Sequence, residues 1–111
     1  MIEILLQAER NLAAGMIDQA ERLYAQAAAA DPRNSIAVVG LARVALERGD
    51  DVGAWRLARR ALAIDPENVA AGGLANRLAE IQAYKGMSIE ALAAAAETAE
   101  RETQPTPEEQ S

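Results

Sequence analysis

At 111 residues and 11.8 kDa the chain is long enough for one small domain with a single core and too short for two. Its 17 acidic residues against 11 basic ones give a net charge of -6, which opposes attraction to phosphate backbones and anionic membrane surfaces and argues against nucleic acid as a partner. With no Cys and no His, disulfides, thiol nucleophiles, imidazole bases and the usual zinc sites are excluded.

No nucleophile with a base, no paired carboxylates in a pocket pattern and no glycine-rich phosphate loop stands in their place, so neither an enzyme nor a cofactor is expected. Gly72-Gly73 follows no strand and matches no phosphate motif. Asp50-Asp51, the nearest thing to a metal cluster, is explained as a helix cap with first-turn charge, and no metal is expected.

The apolar half of the composition is dominated by 27 alanines, with no Phe. Alanine is the strongest intrinsic helix former and lets backbones approach closely, so the expectation is an all-α protein with thin layers between helices. No apolar run reaches the roughly 18 to 20 residues that span a bilayer, and the N-terminus has no basic leader with a cleavage site. Membrane insertion is not expected, and the cytoplasm is the expected location. Arg outnumbers Lys ten to one, which with the Ala content hints at a GC-rich bacterial genome.

Along the chain, a first helix opens at Met1 and stops at Gly15, which accepts the left-handed conformation beyond a helix C-terminus. A second helix ends at Asp31-Pro32, because the residue before proline avoids helical geometry and proline has no amide. Asn34 then supplies an N-cap acceptor for a third helix, which ends at Gly49. Asp50 caps the fourth, whereas Met16 at the matching place caps nothing. Asp65-Pro66 ends that helix, and Asn68 caps a fifth over about Val69 to Tyr84.

These signals recur with a period of 34: residues 1–34 laid on 35–68 without gaps give twelve identities, among them Ala8/Ala42, Gly15/Gly49, Ala20/Ala54, Ala27/Ala61, Asp31/Asp65, Pro32/Pro66 and Asn34/Asn68. A third, altered unit follows, in which Gly86/Ala91 echoes Gly49/Ala54 at a spacing of 37. It implies a longer first helix, then a last one over about Ser88 to Glu102 that is rich in alanine and has few large side chains to bury. The expected organisation is one domain over 1–102, with repeats of about 1–34, 35–68 and 69–102. The polar, acidic, proline-bearing stretch 103–111 is expected to be disordered.

A 34-residue helix-turn-helix repeat with Ala8, Gly15, Ala20, Tyr24, Ala27 and Pro32, and again Ala42, Gly49, Ala54, Ala58, Ala61 and Pro66, resembles the tetratricopeptide repeat family. Independently of the family, Ala20 and Ala27, like Ala54 and Ala61, lie seven apart on one helix face where small side chains let paired helices touch. Leu23, Leu57, Leu62, Ile64 and Trp55 are then left to fill the spaces between units. The resemblance implies a right-handed α-solenoid of about three hairpins, with the first helices lining a concave groove that binds a protein or peptide.

Carried over position by position, the groove would be lined by Ile2, Leu5, Glu9 and Leu12, by Ile36, Val39, Arg43 and Leu46, and by Ala70, Gly73, Arg77 and Glu80. The positions of the family's carboxylate clamp for chaperone C-termini fall on Leu5, Glu9, Gly40, Ala70 and Leu74. None carries the required residue, so that co-chaperone role is not expected. Arg43 and Arg77 either grip an acidic group of a ligand or pair locally with Glu9, Glu47 or Glu80.

Two surfaces remain. The opening Met1-Ile2-Glu3-Ile4-Leu5-Leu6 is apolar around most of the helix circumference, so part of Met1, Leu5 or Leu6 stays exposed unless something covers it. The alternatives are a homo-oligomer contact or hydrophobic ligand site, a fragment whose missing neighbour lies there, or side chains that curl inward. Arg56, Arg59 and Arg60 form a stripe that is either a docking face for an acidic partner or RNA, or a solvated helix face. The functional expectation is a non-catalytic interaction module, an adaptor, scaffold or assembly factor holding a peptide or partner helix in its groove. The alternative is an oligomerisation module acting through its first helix.

Overall fold

A computed structural model of the chain describes residues 2–84 together with 91, 94, 97 and 98, and among these every regular element is a helix. The elements are α1 (Ile2–Ala13), α2 (Ile17–Ala30), α3 (Ser35–Glu47), α4 (Asp51–Ile64) and α5 (Val69–Tyr84). They form two antiparallel hairpins, α1–α2 and α3–α4, followed by α5. The expected end of the last helix at Glu102, the domain limit there and the 103–111 tail lie outside the described residues.

Each boundary has a local cause in the sequence. Gly15 and Gly49 adopt φ of +81° and +77°, which turns the chain so that the Met16 amide reaches back to the Asn11 carbonyl (2.8 Å) and the Asp50 amide to that of Ala45 (2.9 Å). Asn34 Oδ1 accepts from the Ala37 amide at 3.1 Å, Asn68 Oδ1 from Ala71 at 3.0 Å and Asp50 Oδ1 from Gly53 at 2.9 Å. Met16, at the start of α2, makes no such bond.

The repeated aspartates have a role beyond preceding proline. Asp31 Oδ1 accepts from the Arg33 amide and Asp65 Oδ1 from Glu67, both at 3.1 Å, and their carbonyls accept from Asn34 and Asn68. Asp-Pro-x-Asn is thus a self-contained turn that ends one helix and presents the cap of the next.

The core is thin, as the alanine content requires. Ala20, Ala27, Ala54 and Ala61 are fully buried and let the helices of a hairpin close on one another. Around the first three helices, Leu5, Ala8, Leu12, Ala20, Tyr24, Ala27, Ala37 and Val44 form one cluster. Trp55 and Ala58 of α4 pack with Leu74, Ala75 and Leu78 of α5 in a second. Trp55 therefore fills the gap between units, and Leu57, Leu62 and Ile64 flank the same seam. The Arg59 guanidinium lies over the Trp55 ring, 5.7 Å from the ring centre.

Candidate functional site

The first helices of the two hairpins, α1 and α3, together with α5, line a groove of about 770 Å³. Leu12, Val39, Leu46, Val69 and Leu74 give it an apolar surface, and Arg43, Glu47 and Arg77 contribute charge. Ala70 and Gly73 keep the α5 wall low.

Repeat arithmetic places Glu9, Arg43 and Arg77 at the same position of successive units, 34 residues apart. The first two find each other: Arg43 Nη1 donates to both carboxylate oxygens of Glu9, at 2.8 and 2.9 Å. Buried Tyr24, reaching across from α2, donates its hydroxyl to Glu9 Oε1 at 2.5 Å. One carboxylate therefore ties α1 to both α2 and α3. Partial burial pushes the Glu9 carboxyl up, but the hydrogen bonds from Arg43 and Tyr24 and the Arg43 charge outweigh it and leave it below the ordinary carboxylate value. Burial, and then the hydrogen bond to Glu9, push the Tyr24 phenol well above its usual value.

Of the two alternatives for Arg43, local pairing is thus the one realised. Arg77 differs. Its counterpart one unit back is the cation Arg43, not a carboxylate, and it is exposed at the groove and in no ion pair among the described residues. A second ionic tie lies elsewhere: Arg48, at the end of α3, donates to Asp18 (2.5 Å) and Glu21 (2.7 Å) on α2.

Of the residues expected to line the groove, Leu12, Val39, Arg43, Leu46 and Arg77 come together in it, with Ala70 and Gly73. Ile2, Leu5, Glu9, Ile36 and Glu80 stand outside that lining. Leu5 turns into the core and Glu9 is held as described. Ile2 and Ile36, at equivalent places near the starts of α1 and α3, are 71% and 59% exposed, and Val69 at the start of α5 is 87% exposed. Sequence reasoning missed Ala13, Gly15, Ile17, Glu47, Val69 and Leu74, which also line the groove. Gly15 lies in the α1–α2 turn and Ile17 opens α2, and an assignment restricted to first helices passes over them.

The other candidates separate in the same way. Of the proposed self-association residues, Leu5 is buried and unavailable, Leu6 is 51% exposed, and Met1 lies outside the described residues. Arg59 and Arg60 are exposed on α4 and Arg56 is half-buried. No cluster of potential metal ligands occurs among the described residues, and no helix among them is long and apolar enough to cross a membrane.

Repeated antiparallel hairpins stacked so that equivalent helices share one face define a helical-repeat protein. A tetratricopeptide repeat model matches residues 11–78, and the chain belongs to the tetratricopeptide repeat family. Tetratricopeptide repeats generally mediate protein–protein interactions and are typically non-catalytic. Comparison with curated proteins and with solved structures returned no significant match.

Proposed function

We propose that this protein is a non-catalytic binding module that holds a peptide or partner helix of another protein in the groove between α1, α3 and α5. The observation that carries this reading is the composition of the groove: apolar side chains from three helices surround a cavity of about 770 Å³, and Arg77 stands at it without an ion-pair partner among the described residues. Apolar anchors supply affinity in such a site, and a lone guanidinium selects where an acidic side chain of the ligand lies. Adaptor, scaffold and assembly roles all use this property.

Selection of peptides from a displayed library on the full chain, followed by titration of the selected sequences, tests it. Binding should weaken at least about tenfold in Leu46→Glu, which places a carboxylate among the apolar anchors, and in Arg77→Glu for ligands with an acidic residue. Arg33→Glu, in the turn between the hairpins, should leave affinity unchanged. Ligands that bind both groove variants as tightly as the wild type would defeat the reading.

A second reading, self-association through α1, is favoured by the half-exposed Leu6.

A further inference from the structure

The outer face of each first helix can be compared across the three units, since the repeat aligns them residue by residue. On α3 that face is Ala37, Gly40, Leu41 and Val44, packed under Tyr24 and its neighbours in the first hairpin. On α5 it is Ala71, Leu74, Ala75 and Leu78, packed under α4. Subtracting 34 and 68 gives Glu3, Leu6, Gln7 and Arg10 on α1, and all four are exposed. Where the face is covered it is apolar throughout; where it is open it is Glu-Leu-Gln-Arg.

That substitution selects what can lie on α1. A helix with the chemistry of α2 or α4 would bury Glu3 and Arg10 against apolar side chains and leave both charges uncompensated. A suitable occupant carries a cation opposite Glu3, an anion opposite Arg10 and an apolar side chain opposite Leu6. Glu3 and Arg10 are seven residues apart, two helical turns, and lie on one stripe with Leu6 between them. The same stripe run antiparallel meets every requirement: a two-fold axis passing between Leu6 and Gln7 sets Glu3 against Arg10 of the second copy and Arg10 against its Glu3. Neither residue forms an ion pair among the described residues, which leaves both charges within that set to this contact.

We propose that α1 is a self-association surface on which a second copy of this chain docks antiparallel, through reciprocal Glu3–Arg10 pairs flanking a Leu6–Leu6 contact. The proposal rests on the second reading above and is independent of the groove, which faces elsewhere and stays open in the dimer. One helix pair buries less than a standard interface, so the association is weak, reversible and driven by concentration.

Sedimentation equilibrium of the full chain over a range of concentrations tests it. The expected wild-type mass rises from 11.8 kDa towards twice that value. Glu3→Arg sets two cations against each other twice, and Arg10→Glu does the same with anions, so each variant alone should dimerise at least about tenfold more weakly. Mixed in equal amounts the two variants form a heterodimer with two attracting pairs, and dimerisation should return to the wild-type level. Leu6→Glu should remain monomeric, with helicity checked by circular dichroism. A wild-type mass that stays at 11.8 kDa at every concentration overturns the proposal and leaves groove titrations unaffected. So does a mixture that dimerises no better than its components, because a head-to-tail contact, or a face reserved for another protein, gives no such rescue.

Discussion

The ring of Tyr24 on α2 occupies the space that a side chain at Gly40 on α3 would need; a β-carbon there would collide with the ring. One unit further along, the equivalent residues are Ala58 on α4 and Leu74 on α5, both buried in one cluster. The two interfaces thus fill similar space with opposite partners, large on small and then small on large. Transplanting the second solution into the first should work as a pair. Tyr24→Ala alone opens a cavity at a cost of about 3–5 kcal/mol, and Gly40→Leu alone overpacks by about 1–3 kcal/mol. The double variant Tyr24→Ala/Gly40→Leu should recover at least about 1 kcal/mol relative to the sum of the singles. Urea unfolding followed by far-UV circular dichroism measures it, and strict additivity would mean that the two residues do not share one space.

Glycine within α5 carries the opposite expectation. A β-carbon at Gly72 meets nothing within 4 Å, and its φ is not positive. Gly72→Ala should stabilise the protein by up to about 1 kcal/mol through helix propensity and reduced unfolded-state entropy. Gly40→Ala, with the same gain but a collision with Tyr24, should lose stability. The difference in sign between two Gly→Ala changes in helices is read directly from their urea midpoints.

Much of the fold was legible because its punctuation is local. Asn34, Asn68, Asp50, Gly15 and Gly49 act on backbone groups within a few residues, so their spacing gave the helix ends without tertiary information. The groove was legible only in part. Five consecutive apolar-rich positions at the start of α1 carry no clear period, so the sequence could not say that Leu5 turns inward and Leu6 outward. Nor could spacing choose between Arg43 facing a ligand and Arg43 facing Glu9. That choice depends on Tyr24, which approaches from a different helix and fixes the carboxylate. Tyr24 is also what makes Gly40 necessary, and a contact between positions on unlike helices leaves no periodic trace.

The Glu9 carboxylate should make stability sensitive to acid. Its folded-state pKa lies below the unfolded reference of 4.5, so it contributes stability at pH above that value and loses the contribution as pH falls through the folded value. Glu9→Gln keeps an acceptor for Tyr24 and Arg43 but has no proton to gain. The variant should therefore be less stable than wild type near pH 7, by no more than about 1 kcal/mol for a half-exposed pair. The gap should narrow below pH 4.5. Urea midpoints at neutral and acid pH check this, and parallel pH profiles for the two proteins would show that the pair contributes no linkage.

The caps allow the last expectation to be built from residues that differ at equivalent backbone. Met16, Asn34 and Asp50 precede their helices with φ of -86°, -83° and -90° and ψ of 70°, 93° and 79°. The backbone of Met16 is thus already that of a capping residue, yet its side chain accepts nothing. Met16→Asp should supply the missing acceptor and an anion at the positive end of α2, stabilising the protein by about 1 kcal/mol. Removing a cap should show the converse, and unequally. Asn34→Ala loses the bond to the Ala37 amide and should cost about 1 kcal/mol. Asn68→Ala loses its bond to Ala71 and, in addition, the Nδ2 donor to Ser35 Oγ at 3.0 Å, which leaves a buried hydroxyl without that partner. It should therefore cost roughly 1 kcal/mol more than Asn34→Ala. Because Ser35 opens α3 and Asn68 precedes α5, that extra loss reports on the seam between the second hairpin and α5. The unfolding midpoints of the two asparagine variants, compared with Ser35→Ala and with Ser35→Ala/Asn68→Ala, separate the cap from the seam: a double-mutant coupling near zero would assign the whole loss to the cap.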